Sequence, residues 1–495
     1  MRKIIVSILL IPFFAVAQTY TKQLQEFDNY VKQGMKDWEL PGLSVVIVKN
    51  NQVLLSKGYG VRELGTTNAV DDKTLFSIGS TTKAMTAVCM GILVDEGKVN
   101  WNDPVIKHLP DFQLYDPSVT RELKIRDLFT HNSGVGNADF LWSVMNVSSD
   151  EILRKMKQVE PSYSLRSSFI YQNIFYLAAG KVIERVSGMP WEKFIKAKIF
   201  EPLGMTRTVP LLKELTDPNQ TKPHYKVNNV IKPIENTSAD KVGPAGSVYS
   251  CADDISKWVM AMLDSSKYKN GRLLKPQTWV EMFKPQVIVP PGQFYPTQQL
   301  TKPNWMTYGL GWFQHDYKGK KVNFHTGSLA GAIALHAQLP DEKLGYFFLG
   351  NFDHAELRHA LMYKTFDLFA LGGTRDWSAE FKKLYDGVNN QIKKQEDETI
   401  AKRVTGTTPS HGLENFAGTY MDELYGEAKV ELNGNALNFT INNFVKAKSE
   451  HWHYDTFRIA YEKDWYGTGF TAFILNDLGK VSELNFEGMV FKKKE

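Results

Sequence analysis

The sequence predicts an α/β (α+β) fold: an antiparallel sheet flanked by helices, with an inserted helical lobe, followed by a small C-terminal antiparallel β-barrel. Two observations carry the larger unit. Strand-like runs lie at both ends of a long first region, and a helix-rich stretch lies between them. A third carries the barrel: beyond Phe416 apolar and polar residues alternate between Asn-Gly, Asn-Asp and Gly turns.

Taken in order, GLSVVIVKNNQVLLSKGYG (Gly42 to Gly60) reads as an early hairpin turning at Asn50 and Asn51. YGLGWFQHDYKGKKVNFHTG and GAIALHAQLPDEKLGYFFLGN give at least three more strands, with turns at Lys318 to Lys320 and Pro340 to Lys343. The sheet is therefore expected to have about five strands drawn from the two ends of one domain. Between them TTKAMTAVCMGILVDEG, QNIFYLAAGKVIERVSG, PWEKFIKAKIFEPLG and ADDISKWVMAMLDSS carry apolar residues at helical spacing, several with a Gly stop. From Trp377 the chain turns charged and helical, and VTGTTPSHG after it reads as a linker. The expected organisation is a leader over 1–17, the sheet-and-helix domain over 18–376, a helical linker over 377–414 and the barrel over 415–495.

The chain has 495 residues, 43% of them hydrophobic, with 59 Lys+Arg against 54 Asp+Glu and a net charge of +5. That composition excludes disorder and collagen, and two Cys exclude a disulfide framework. The small charge excess, without a concentrated basic patch beyond Lys492 to Lys494, argues against a nucleic-acid partner. The start, MRKIIVSILLIPFFAVAQTY, has a basic end, an apolar run and small residues at Ala15 and Ala17. It reads as a signal peptide cut before Gln18, too short at about 13 apolar residues to span a bilayer, so an exported, periplasmic or secreted protein without a transmembrane segment is expected. Cys89 and Cys251 sit in apolar or small-residue surroundings, which favours two buried thiols over a bridge.

No GxSxG elbow, HExxH, CxxC, Walker loop or Rossmann GxGxxG in strand-to-helix context is present, and the His residues do not cluster at ligand spacing. No metal or cofactor is expected. The chemistry falls instead on a Ser with a Lys three residues on, which occurs at Ser80, Ser238 and Ser266. Ser238 lies in a polar loop beside Asp240 and Ser266 in a run that reads as exposed, whereas Ser80 opens a long apolar helix. There the spacing brings Lys83 onto the face of Ser80, and the helix N-terminus favours negative charge beside the hydroxyl. A buried Lys can lose its proton and act as base. A Ser at a helix start is ordinarily only a cap. Two further motifs argue for more: Tyr171-Gln172-Asn173 ahead of an apolar helix, and the single His325-Thr326-Gly327 at the end of a strand. A Tyr near cations can exchange a proton, an adjacent Asn can hold Lys83 or a substrate amide, and Gly327 lets backbone approach a ligand.

The order SxxK, YxN, HTG resembles the serine β-lactamase and penicillin-binding protein superfamily, in its class C-like branch of esterases and peptidases. LKIRDLFTHNSGV, LAAGKVIERVSGMPWEKFIKAKIFEPLGMTRT and GPAGSVYSCADDISKW are similar to that branch too, and the resemblance covers roughly Tyr30 to Leu371. It implies a β-lactamase/transpeptidase-like sheet, Ser80 as acylated nucleophile, proton transfer shared by Lys83 and Tyr171, and Asn173 orienting Lys83 or the substrate. It further implies an oxyanion hole from the backbone N–H groups of Ser80 and Ser328, with Thr326 and Gly327 beside the substrate, and a lipocalin-like C-terminal module as in some relatives. Where relatives usually carry Lys, this chain has His325, mostly neutral at pH 7 and weaker toward a carboxylate. The expected function is therefore an exported serine hydrolase acting through an acyl-enzyme on a peptide, amide or small ester. The alternatives are a β-lactamase or D-Ala-D-Ala carboxypeptidase, or a non-catalytic protein that captures penicillin or cell-wall peptide. A small-molecule or peptide substrate is the expected partner, and self-association into a homo-oligomer through the barrel is left open.

Overall fold

The computed structural model describes residues 20–353 and 355–494. The leader, including the cleavage point before Gln18, and His354 lie outside the described residues. An eight-stranded antiparallel sheet organises the larger unit: β1 (Gly42–Lys49), β2 (Gln52–Gly60), β3 (Val287–Ile288), β4 (Met306–Tyr308), β5 (Phe313–Tyr317), β6 (Lys320–Leu329), β7 (Ala332–Leu339) and β8 (Leu344–Gly350). Their order across the sheet is β2-β1-β8-β7-β6-β5-β4-β3. The first hairpin thus pairs with the last strand, β1 with β8, which brings the two ends of the domain together. The sheet exceeds the expected five strands by three: the downstream segments form four strands, β5 to β8, rather than three, and β3 and β4, two and three residues long, extend its far edge.

β1 is buried along its whole length, so both faces of the sheet must be covered. Alternate residues obey the two-residue period: Val46 and Val48 face one core with Phe347 and Leu349, while Leu43, Val45 and Ile47 face the other with Tyr346 and Phe348. The first core receives α2 (Thr82–Asp95), α3 (Ile174–Ser187) and α4 (Ala252–Leu263); the second receives α1 (Thr21–Asp37) and α5 (Leu357–Phe366). From Thr82 to Leu93 every residue of α2 is buried, the signature of a helix enclosed on all sides. Ser80 sits in the single 3-10 turn, Gly79–Thr81, that leads into it, so the hydroxyl is anchored on an enclosed element of the fold.

The sequence reading begins a linker at Trp377, but α6 (Trp377–Ala401) starts inside the larger unit. Trp377 and Phe381 are fully buried, with Trp377 packed on Tyr363 at 5.0 Å between ring centroids and under the Arg375 guanidinium at 3.9 Å. Leu384 and Tyr385 still pack against the second core, and the helix is exposed from Asn389 on. Eight strands between Gly418–Asp422 and Met489–Lys493 then close into a barrel in consecutive order, around Phe416, Tyr420, Phe439, Ile459, Leu484 and Phe491. The barrel packs against the larger unit through Tyr425 on Phe140, ring centroids 4.9 Å apart, and through Gln158 donating to Glu423 at 2.9 Å. Cys89 and Cys251 are both buried and unbridged. Among the described residues no helix is long and apolar enough to cross a membrane.

Candidate active site

The three motifs converge. Lys83 is completely buried, and its Nζ donates to Ser80 Oγ at 3.0 Å, to Asn173 Oδ1 at 2.7 Å and to the Ala245 carbonyl at 2.8 Å. The Ala245 carbonyl comes from the short helix Gly243–Gly246 in the GPAGS stretch, pinned in turn by Thr86, whose hydroxyl donates to the Pro244 carbonyl. Tyr171 hydrogen-bonds with the Ser80 side chain, and its ring lies 4.8 Å from Lys83 Nζ. Burial pulls the Lys83 pKa down to about 7, with the Asp139 carboxylate opposing that shift. Burial pushes the Tyr171 phenol well above its ordinary value, and the bond to Ser80 opposes it.

Two glycines allow β6 to reach Ser80. A Cβ on Gly79, whose φ is +49°, would stand 2.7 Å from the Ser328 backbone nitrogen; one on Gly327 would stand 2.0 Å from the Ile78 carbonyl oxygen and 3.0 Å from the Ser80 nitrogen. No side chain fits at either position, and its absence leaves the backbone N–H groups of Ser80 and Ser328 side by side. Ser328 is exposed while Thr326 and Gly327 behind it are buried, so the strand end opens to solvent beside Ser80.

His325 is placed at the site but turned inward. Its Nδ1 lies 2.6 Å from the Thr326 carbonyl, which can only accept, so Nδ1 carries the proton and Nε2 accepts from the Tyr308 hydroxyl at 2.9 Å. Burial, reinforced by the Lys83 charge, lowers its pKa to about 3. The ring is neutral over the physiological range, and both nitrogens are engaged within the protein. The Thr326 hydroxyl is bonded to that of Tyr295 at 2.5 Å.

Sequence reasoning missed three supporting residues. Asp139 accepts from Asn173 Nδ2 with both oxygens, at 3.0 and 2.9 Å, and from the Trp142 indole at 2.9 Å, which orients the amide so that its oxygen meets Lys83. His131, left-handed at φ +59°, clamps the Tyr171 segment from both sides: its carbonyl accepts from Ile170 N at 2.8 Å and its Nδ1 from Gln172 N at 3.0 Å, with its ring 4.3 Å from that of Tyr171. Arg358, buried on α5, donates to the Gly327 carbonyl and the Ser328 hydroxyl, both at 2.9 Å, and pairs with Glu356 at 2.8 Å. Only His131 had a signal, within the stretch LFTHNSGV. The other SxxK copies carry no such constellation. Ser238 is exposed and accepts from Asp240 N. Ser266, expected to be exposed, is buried, because its hydroxyl donates to the Leu274 carbonyl and accepts from Leu274 N at 3.1 Å each. Among the described residues no group of His, Cys, Asp and Glu could hold a metal ion.

Known proteins share the family and the fold. The unguisins hydrolase ungD of Aspergillus violaceofuscus is 26% identical over 357 residues, which cover 66% of this chain and 61% of that protein, so the match spans about three fifths of the relative's length. Its counterpart ungD' of Aspergillus campestris is 27% identical over 82% of this chain and 77% of its own. Protein flp of Staphylococcus aureus is 25% identical over 66% of this chain and 63% of its own. The octameric penicillin-binding protein homologue from Pyrococcus abyssi superposes with a TM-score of 0.62 at 22% identity, over 95% of this chain and all of that one; SurE does so with 0.58 at 17%, over 96% and 100%. Both share the fold. A domain family of unknown function, DUF3471, matches residues 402–495. The beta-lactamase family matches residues 27–365, more than half of the sequence and the whole of the site above, and this chain belongs to that family of serine hydrolases.

Proposed function

We propose that the chain is an exported serine hydrolase that cleaves a peptide or amide bond, with a small ester next in preference, through an acyl-enzyme on Ser80. The observation that carries this reading is the set of partners around Lys83. A neutral amine has two N–H donors, which Asn173 Oδ1 and the Ala245 carbonyl accept, and its lone pair then faces the Ser80 hydroxyl at 3.0 Å. With a pKa of about 7, a large fraction of Lys83 is in that form at neutral pH, whereas the Tyr171 phenol is held protonated. Lys83 is therefore the base, which the sequence had left open against Tyr171, and Tyr171 serves as a hydrogen-bond donor.

Ser80 Oγ attacks the carbonyl carbon as its proton passes to Lys83. The oxyanion is received by the backbone N–H groups of Ser80 and Ser328, with Thr326 and Gly327 lining the approach. Collapse breaks the scissile bond, and the leaving amine or alcohol takes the proton from Lys83, directly or through Tyr171. Water then adds to the acyl group, Lys83 takes its proton, and the acid departs as Ser80 is regenerated. Asn173 holds Lys83 in line throughout. The inward His325 presents no charge for a carboxylate, which disfavours β-lactams and terminal D-alanine as best substrates. The hydrolase names of the two Aspergillus relatives support the same class of reaction. The leader supports export, and the octameric Pyrococcus abyssi homologue supports self-association.

The test is a screen of p-nitrophenyl esters, D- and L-aminoacyl anilides and a chromogenic cephalosporin, with Ser80→Ala as blank. Hydrolysis of anilides or esters is expected to fall by about three decades or more in Ser80→Ala. Equal rates for the two proteins, or labelling by a fluorophosphonate elsewhere than on Ser80, would refute the assignment.

A further inference from the structure

The barrel and the larger unit enclose a cleft of about 710 Å³ that the reaction above does not use. Its walls are largely aromatic: Trp142 from the larger unit, and Phe444, Trp465 and Tyr466 from barrel loops, with Ala330 also lining it. Phe444 and Tyr466 are 45% and 40% exposed, an uncommon investment of ring surface in water. The charged groups of the walls are already answered within the protein. Lys241 donates to the Met145 carbonyl at 2.9 Å and to Asn146, Lys463 faces Glu235 at 3.9 Å, and Glu487 accepts from Tyr461. Both lysines also sit over the Phe444 ring, at 5.9 and 5.7 Å from its centroid, so what is left for an occupant is the remaining ring surface of the walls.

Two residues that line the cleft, Ala330 and Trp142, link it to the candidate active site. Ala330 stands two residues beyond Ser328, in the turn that follows the end of β6 at Leu329. Trp142 donates its indole proton to Asp139, which holds Asn173 against Lys83. A peptide with its reacting carbonyl at Ser80 would set a side chain two or three residues away between these walls.

We propose that this cleft is a substrate subsite, built jointly by the two domains, that selects a peptide carrying bulky apolar or aromatic side chains two to three residues from the bond cleaved at Ser80. The inference rests on the hydrolase reading and adds the substrate class. The barrel is then a specificity element of the enzyme, its aromatic rings recognising rings and branched alkyl groups by burial and stacking.

Binding separates the two claims, because it needs no turnover. Calorimetric titration of full-length Ser80→Ala with N-acetyl tri-phenylalanine amide and tri-alanine amide, in L and D forms, is expected to favour phenylalanine by about tenfold or more in at least one form. The preference should vanish in Ser80→Ala carrying Phe444→Ser and Tyr466→Ser, both on exposed loop positions, and persist in Ser80→Ala with Leu478→Ser, an exposed barrel residue outside the cleft. Equal binding of both peptides in both forms, or a preference that survives the Phe444→Ser and Tyr466→Ser pair, would overturn the subsite. If phenylalanine is preferred through the cleft and the Ser80 enzyme cleaves nothing, the subsite stands and the hydrolase reading fails.

Discussion

Lys83 is held by three partners, yet among the described residues a single carboxylate, Asp139, opposes the loss of its charge, and it reaches Lys83 through Asn173. Burial and Asp139 therefore pull its proton affinity in opposite directions, and burial wins. On a neutral ester, log kcat/KM is expected to climb with pH to a midpoint of about 7 and then level, since activity follows the deprotonated amine. His325 adds no second limb in that range, because it titrates near 3. Asp139→Asn removes the one charge that raises the Lys83 pKa, so the pKa falls further and the midpoint moves to lower pH. A pH-rate profile measures this directly; a midpoint that stays or rises would show that Asp139 acts only by holding Asn173.

At the level of elements, the strand β6 must end with the Ser328 amide beside Ser80, and two devices put it there. Gly79 and Gly327 allow the approach, and Arg358 on α5 ties the strand from behind. Arg358 and Glu356 are both buried, so Glu356→Gln strands a guanidinium charge in the core. It is expected to cost about 3 to 5 kcal/mol in urea unfolding, the range for removing one partner of a buried pair. A loss below about 1 kcal/mol would mean that the surroundings already neutralise Arg358. How far these elements were legible depended on how local their causes are. The β1–β2 hairpin could be read from Asn50-Asn51, which both adopt positive φ, and α2 from its unbroken apolar run. The convergence of Ser80, Lys83, Tyr171 and His325 followed from motif order. The short strands β3 and β4 escaped because two or three residues do not complete a detectable alternation. Ser266 misled because its polar neighbours suggested solvent, while a turn of its own backbone satisfies the hydroxyl and permits burial. Asp139 and Arg358 left no trace, since each is defined by a partner at least thirty residues away, Asn173 at a separation of 34 and Ser328 at 30.

Across the whole molecule, a short path of packed side chains leads from the barrel to the site. Tyr425 packs on Phe140, and Phe140 follows Asp139, the residue that orients Asn173 toward Lys83. Val144, one turn further along, packs against both the helical core and the barrel core, so this segment is held between the two. Tyr425→Ala removes the ring that seats Phe140 without touching the catalytic groups. It is expected to lower kcat on a short ester more than it raises KM, and to shift the pH midpoint downward, as a retreating Asp139 supports the Lys83 charge less. The two changes act through one path, so Tyr425→Ala and Asp139→Asn should not add: the double variant's rate should exceed the product of the single effects by a coupling of about 0.5 kcal/mol or more. Strict additivity in that cycle, with an unmoved pH midpoint for Tyr425→Ala, would show that the barrel is docked on the hydrolase unit without bearing on its chemistry.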